Sequence, residues 1–294
     1  MAGLKEVRLR IASVKTTLQI TSAMKMMAAA KLRKAQTAII KLRPYAQKLN
    51  DILANLSSSI EDSNENLYAK QRQPEKILLI VIASNRGLCG SFNSNVVRAA
   101  TSLMANDYAA QSRKNNVSLI TIGRKATEHF RKRNFNVIES RDDLFDNLTY
   151  ENASSLAEKV MVAFVSKEYD RIYIIYNQFK NAAVQNLQVE QFLPIVPASQ
   201  GTAKSAAFSN YIFEPDKETI IRELIPKSLR IKLFKSLLDS FASEQGARMT
   251  AMQKASDNAQ EMIRDLQLSY NKARQATITK ELLEIVSGAE ALKG

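Results

Sequence analysis

Stepping alternately by three and four residues from Leu4 gives Val7, Ile11, Val14, Leu18, Thr21, Lys25, Ala28, Leu32, Ala35, Ile39, Leu42, Ala46, Leu49, Leu53, Leu56 and Ile60. Of these seventeen positions only Thr21 and Lys25 are not apolar, and a heptad held so long in one register predicts a coiled-coil helix. Around the two exceptions, in I-T-S-A-M-K-M-M-A-A-A-K, the apolar face is expected to move to Ile20, Met24 and Met27. Pro44 lies inside the pattern, but the heptad continues through it, so a bend is expected and not a stop. A second stripe runs Phe234, Leu238, Phe241, Gln245, Arg248, Met252, Ala255, Ala259, Met262, Leu266, Ser269, Ala273, Ala276, Lys280 and Leu283. Its alanines permit close approach of a partner helix.

Between the stripes the period changes. Ile77 to Ala83 is a continuous apolar run, the pattern of a strand buried on both faces. Further strand-like segments are Val117 to Ile122, Asn136 to Ile138, Arg171 to Tyr176 and Val184 to Phe192. Helical stretches fall at about Asn93 to Arg113, Arg124 to Lys132 and Asn152 to Ser166. Alternation at this spacing predicts an α/β fold, a Rossmann-like doubly wound domain inserted between two long terminal helices. The boundaries drawn are 1–60 for the first helix, 75–213 for the globular part and 214–294 for the last helix and its tip. An insert that joins the end of one helix to the start of the other makes an antiparallel coiled coil the economical arrangement. Facing residue numbers should then sum to about 278 at equal rise per residue, with Leu4 opposite the Arg274 region. The last fifteen to twenty residues have no counterpart and should project alone.

Composition supports this picture. Eight glycines and six prolines in 294 residues leave few breaks in long helices, since glycine usage near 7% is ordinary. One cysteine excludes an intramolecular disulfide, and one histidine leaves no basis for a His-rich zinc site. No apolar run reaches the roughly 18 to 20 residues that span a bilayer.

Charge is concentrated. Residues 1–60 carry eleven Lys/Arg against Glu6 and Asp51, a balance of +9 out of +13. A basic helix suits nucleic acid, an anionic membrane or an acidic protein. Tyr45 is the sole aromatic there to stack on bases, and the apolar stripe is too narrow for an interfacial helix. An acidic protein surface is therefore the expected partner. The first residues resemble a transit peptide in composition, but the heptad runs far past the length of one.

Candidate chemistry is sparse. S-N-R-G-L-C-G-S-F-N, Ser84 to Asn93, follows the first strand and precedes a helix, where phosphates bind in many α/β folds. It lacks the third glycine of G-x-G-x-x-G and has no G-K-[ST], so a tight turn is the simpler reading. Cys89 beside Arg86 has no histidine near it in sequence to act as base. His129 lies in the basic run A-T-E-H-F-R-K-R. No catalytic set, metal site or cofactor is expected.

Five motifs carry a family resemblance: Ile20 to Gln36, Ser84 to Gly90, Tyr211 to Asp216, Ser243 to Ala259 and Tyr270 to Ala291. In order and in register they resemble the gamma subunits of rotary F-type ATP synthases, over the whole chain. Ser91 stands where that family often has glycine, and Gly246 where it often has a larger residue. The two-cysteine redox insertion of the chloroplast relatives is missing, so thiol regulation is not expected. The resemblance implies a non-catalytic central rotor stalk of a proton-translocating enzyme, carrying torque between the membrane c-ring and the alpha/beta hexamer. Its partners would be the alpha, beta and epsilon subunits and the c-ring. It would lie peripherally on the cytoplasmic side of a bacterial membrane. Shaft contacts to beta are implied at Met24, Lys25, Arg248, Gln275, Thr279 and Glu281. Foot contacts towards the c-ring and epsilon are implied at Arg86, Gly87, Leu88, Cys89, Gly90 and Glu214. The competing reading from the residues alone is a free-standing coiled-coil protein whose Rossmann-like domain binds a nucleotide or nucleic acid.

Overall fold

The protein is described by a computed structural model covering residues 4–57, 67–195 and 217–291, with side chains at 4–49, 67–195 and 222–291. Its elements are α1 (Leu4–Ser57), β1 (Ile77–Ile82), α2 (Phe92–Asn106), α3 (Ala109–Arg113), β2 (Val117–Ile122), α4 (Arg124–Lys132), β3 (Val137–Ser140), α5 (Tyr150–Val165), β4 (Arg171–Phe179), β5 (Gln185–Leu193) and α6 (Lys217–Ala291). A single 3₁₀ turn at Asp142–Phe145 precedes α5. The chain divides into an end unit, Met1–Ala28 with Met249–Gly294, and a sheet unit, Ala29–Arg248. Leu53, Leu56 and Ile60 of the first stripe, and the Tyr211 to Asp216 motif with Glu214, lie outside the residues whose side chains are described.

In the sheet unit the strand order is β3-β2-β1-β4-β5. β1 pairs in parallel with β2, Ile77 beside Val117, and with β4, Ile77 beside Arg171. β5 closes the edge antiparallel to β4, from Ile172 beside Leu193 to Phe179 beside Gln185. Every residue of β1 is buried because the strand is central and covered on both faces. On one face Leu79 and Val81 pack with Val96, Ala100 and Met104 of α2 and Phe130 of α4. On the other, Leu78, Ile80 and Ile82 pack with Leu156, Val160 and Phe164 of α5 and Leu229, Leu233 and Leu237 of α6. The doubly wound arrangement is thus present, with one face completed by the C-terminal helix itself.

Two local departures have identifiable causes. The single helix expected over 93–113 breaks after Asn106, and the chain turns so that buried Tyr108 reaches β4, its hydroxyl 2.7 Å from that of Tyr173. β5 begins at Gln185, one residue later than expected, because the Asn181 Oδ1 accepts the Ala183 and Val184 amides at 3.0 and 2.7 Å. That is an Asx turn closing the β4–β5 hairpin. α1 runs through Pro44 and α6 through Pro226.

In the end unit the pairing is antiparallel. Thr21 Oγ1 lies 2.8 Å from Ser256 Oγ, and Lys25 Nζ donates to Gln253 Oε1 at 2.8 Å. These pairs sum to 277 and 278, the register expected from the sequence. On α1, from Leu4 to Thr21, the positions Leu4, Val7, Ile11, Val14, Leu18 and Thr21 are the ones removed from solvent, and Ala28 continues the series. Of the three residues expected to carry the apolar face around Thr21 and Lys25, Met24 is half-buried, but the face does not move to the other two. Ile20 and Met27 are more than half exposed, and the seam stays in register because a Thr–Ser hydrogen bond satisfies its polar members. On α6 the seam is Met252, Ser256, Ala259, Ile263, Leu266, Tyr270, Ala273 and Thr277. Every second position of the expected stripe is therefore displaced by one: Met262, Ser269 and Ala276 are exposed, and Ile263, Tyr270 and Thr277 take the inner places. The cause is the partner, since α1 knobs spaced 4-3-4-3 admit only the complementary spacing on an antiparallel helix. Residues 278–291 are exposed throughout. No helix among the described residues is long and apolar enough to cross a membrane.

Candidate functional site

In an open α/β sheet, ligands bind beyond the carboxyl ends of the strands where the strand order reverses. Here that place lies between β1 and β4, bordered by the loop Ser84 to Ser91, and it is filled by α6. Gly246 of α6 lies against the β4–β5 hairpin so closely that a Cβ there would stand 3.2 Å from Ala182 Cα and 3.3 Å from its oxygen. Two residues further, Arg248 donates to the carbonyl oxygens of Arg86 at 3.0 Å and Gly87 at 3.4 Å, and to Glu244 Oε1 at 2.7 Å. Glu244 and Arg248 are both buried; burial pushes the Glu244 carboxyl up, against the lowering effect of Arg248 and Lys31.

The polarity of the loop follows from these contacts. A phosphate cradle presents amides, whereas this loop turns two carbonyls towards a guanidinium. Leu88 and Gly90 adopt positive φ, 63° and 60°, which lets the chain reverse within four residues. Ser84 N–H donates to Asn93 Oδ1 at 3.0 Å, and Asn93 Nδ2 donates to Cys89 Sγ at 3.2 Å. Cys89 is buried, and burial raises its thiol above the ordinary range, the opposite of what a reactive thiolate requires. The amides opening α4 are also engaged: Arg124 N–H donates to Asn85 Oδ1 at 3.1 Å and Lys125 N–H to Ser84 O at 3.1 Å. Gly123 makes that approach possible, because a Cβ there would lie 2.2 Å from Ala83 O. Buried Asn177 closes the floor, donating to Phe92 O at 3.2 Å. His129 lies on α4, its pKa lowered by partial burial and by Arg133, which donates to its Nε2.

The structure therefore joins two groups that the sequence leaves apart. Arg248, expected at a shaft contact, clasps Arg86 and Gly87, expected in the foot. Met24 is half-buried, while Lys25 and Gln253 form a surface chain continued by Gln253 Nε2 donating to Asp257 Oδ1 at 2.8 Å. Gln275, Thr279 and Glu281 are exposed on α6, and so are Arg86, Leu88 and Gly90 in the loop. Ala182 escapes sequence reasoning, and Glu244 and Asn93 lie inside motifs it marks without being given a role. For Glu244 a signal exists in S-E-Q-G-A-R, where an acid precedes an arginine by one helical turn.

Comparison with known proteins agrees with this architecture. The family model described as ATP synthase matches residues 3–292. The ATP synthase gamma chain of Cytophaga hutchinsonii is 52% identical over 99% of each chain, and that of Flavobacterium johnsoniae 53% identical over the full length of both. Among solved structures, a chain of the Euglena gracilis mitochondrial ATP synthase assembly of OSCP, F1 and c-ring aligns with a TM-score of 0.69 at 20% identity, covering 98% of this chain and 94% of that one. That likeness is one of fold. A chain from the central stalk and c-ring of the Tetrahymena thermophila mitochondrial ATP synthase aligns with a TM-score of 0.59 at 25% identity, covering 81% and 99%. The long antiparallel helices, the sheet closed by α6 and full-length identity near one half lead to one conclusion: the chain belongs to the gamma chain family of the ATP synthases.

Proposed function

We propose that the chain acts as a non-catalytic torque-transmitting shaft. The α1/α6 pair would turn inside the alternating alpha and beta subunits, and the sheet domain would rest on the c-ring beside epsilon, peripheral to the membrane on its cytoplasmic side. The observation that carries this reading is the filling of the sheet's ligand crevice by α6 through Gly246 and the Arg248 clasp. The part of an α/β fold that elsewhere holds a nucleotide here holds a helix. A domain that grips a helix suits force transmission. No observation favours the free-standing nucleotide-binding alternative.

The contacts proposed with beta are Met24, Lys25, Arg248, Gln275, Thr279 and Glu281. Those proposed towards the c-ring and epsilon are Arg86, Gly87, Leu88, Cys89, Gly90 and Glu214. A rotor contact must break at every step, and exposed polar groups meet that need because an exposed ion pair is worth only about 0 to 1 kcal/mol. Lys25 already has an amide partner in Gln253, so an acidic beta surface would exchange one weak contact for another. Arg248 is different: tied to the loop, it would act by fixing the loop's position.

A tagged copy of the chain expressed with its operon partners tests the reading. Alpha, beta, epsilon and c subunits should co-purify, and vesicles should couple ATP hydrolysis to proton pumping. Alanine at Gln275 and Thr279 should lower the pumping-to-hydrolysis ratio with the complex still assembled. Failure of alpha and beta to co-purify, or micromolar Mg-dependent ATP binding by the isolated chain in calorimetry, would overturn it.

A further inference from the structure

Within the sheet unit, α6 is buried almost all round from Ser236 to Gly246, a stretch that carries Asp239. This side chain is fully buried, and neither carboxylate oxygen has a hydrogen-bond partner among the described residues. The hydroxyls of Ser240 and Ser243 beside it are unpartnered in the same sense. Buried polar atoms in folded proteins are nearly always paired, and a charge left without donors is the costliest exception. Asp239 is therefore out of keeping with a joint that is otherwise closely packed.

The charged and titratable groups around it come from four elements. α1 contributes Arg43 and α6 contributes Lys235, both favouring the ionised form. β5 contributes Glu190, which opposes it. β4 contributes Tyr176, whose hydroxyl donates to Glu190 Oε1 at 2.8 Å; burial and Glu190 hold that phenol well above its ordinary range. Lys232 of α6 lies 3.7 Å from Glu190 Oε2 and donates to Gln191 O at 2.9 Å, so this cation is engaged with β5. The two remaining cations act through space and form no hydrogen bond to Asp239.

We infer that Asp239 makes the packing of α1, α6 and the β4–β5 hairpin responsive to pH, the joint tightening when the carboxyl is protonated. Protonation removes a charge from a site with no donors for it and supplies a donor of its own. Burial, the largest influence, pushes the carboxyl up to about 6 from an ordinary 3.8. The folded state thus binds this proton more tightly than the unfolded chain. Its stabilising contribution is complete below about pH 4 and is lost as pH rises through about 6. The direction is opposite to that of a salt-bridged carboxylate, whose contribution acid removes.

Amide hydrogen exchange of the full chain from pH 5 to 8, corrected for intrinsic rates, reads this directly. Protection across 232–246 should fall on the order of tenfold between pH 5 and 8, as expected for a carboxyl that titrates at about 6 in the fold and at 3.8 ordinarily. Asp239→Asn should abolish that change and raise protection at pH 7.5. The difference between the two proteins removes contributions shared by both, including His129 and Glu244. Arg43→Gln leaves the carboxylate in place and takes away a compensating cation, so the midpoint should move up. The inference is overturned if wild type and Asp239→Asn follow the same pH course, if the wild-type midpoint lies in the ordinary carboxylate range, or if Arg43→Gln leaves the midpoint where it was.

Discussion

The same two helices lead different lives in the two units. In the end unit α1 and α6 share a narrow seam, with Val7, Met252 and Ala259 buried and the flanking faces left to solvent. In the sheet unit α6 is surrounded: Ile231 packs with Ala46 and Leu49 of α1, Leu229, Leu233 and Leu237 pack on the sheet, and Arg248 engages the loop. A helix with one buried stripe keeps its outer surface for other molecules. One buried on every side is an anchor. The contrast teaches that α6 combines a held segment and an offered one, and substitutions should separate them.

The largest effect is expected at Arg248. Arg248→Ala leaves Glu244 buried without its ion-pair partner and frees two loop carbonyls, a loss of about 3 to 5 kcal/mol in urea unfolding. Adding Glu244→Gln should restore part of it, since the uncompensated charge is then gone. Gly246→Val comes next. Its side chain must enter the space held by Ala182, at about 1 to 3 kcal/mol for overpacking, and hydrogen exchange in the β4–β5 hairpin should quicken.

In the end unit the expected effects are smaller. Ser256→Ala should cost about 1 kcal/mol, because the Thr21 hydroxyl keeps its other partner, the Leu18 carbonyl at 3.0 Å. The double change Thr21→Val, Ser256→Ala should be near neutral, measured as the melting of helicity. Gly288→Ala is opposite in sign, since a Cβ there would meet nothing within 4 Å; the helix end should gain about 0.5 to 1 kcal/mol. If Gly288→Ala and Gly246→Val shift stability alike, the division into held and offered segments fails.

Sequence reasoning reaches the parts of this fold that are written in a period. The heptad of α1 marks the buried positions Val7, Ala28, Leu32, Ala35 and Ile39 one by one, and β2 and α4 fall on their expected bounds. What it misses depends on a partner far along the chain. Met262 and Ile263 are equally plausible seam residues until α1 chooses between them. The break after Asn106 goes with the contact of Tyr108 with Tyr173, 65 positions further along the chain. The Arg248 clasp links residues 162 positions apart, and nothing local in S-N-R-G-L-C-G says that its carbonyls face a guanidinium. Gly246 reads as a soft spot in a helix, yet its missing side chain is what admits the hairpin.

Gly246 and Arg248 also bear on how a rod can be held against both twisting and slipping. A smooth cylinder in a socket resists neither well, since apolar packing is non-directional. The close approach of Gly246 to Ala182 makes a flat on one side of the rod, so rotation about its own axis would drive side chains into the hairpin backbone. The Arg248 guanidinium, its Nη2 seated on two carbonyls and its Nη1 on Glu244, behaves as a cross-pin, because sliding α6 by one residue rise of about 1.5 Å would break both carbonyl contacts. Flat and pin together make a keyed coupling, in which load on the helix is taken up by the backbone of the sheet domain instead of by side chains free to turn.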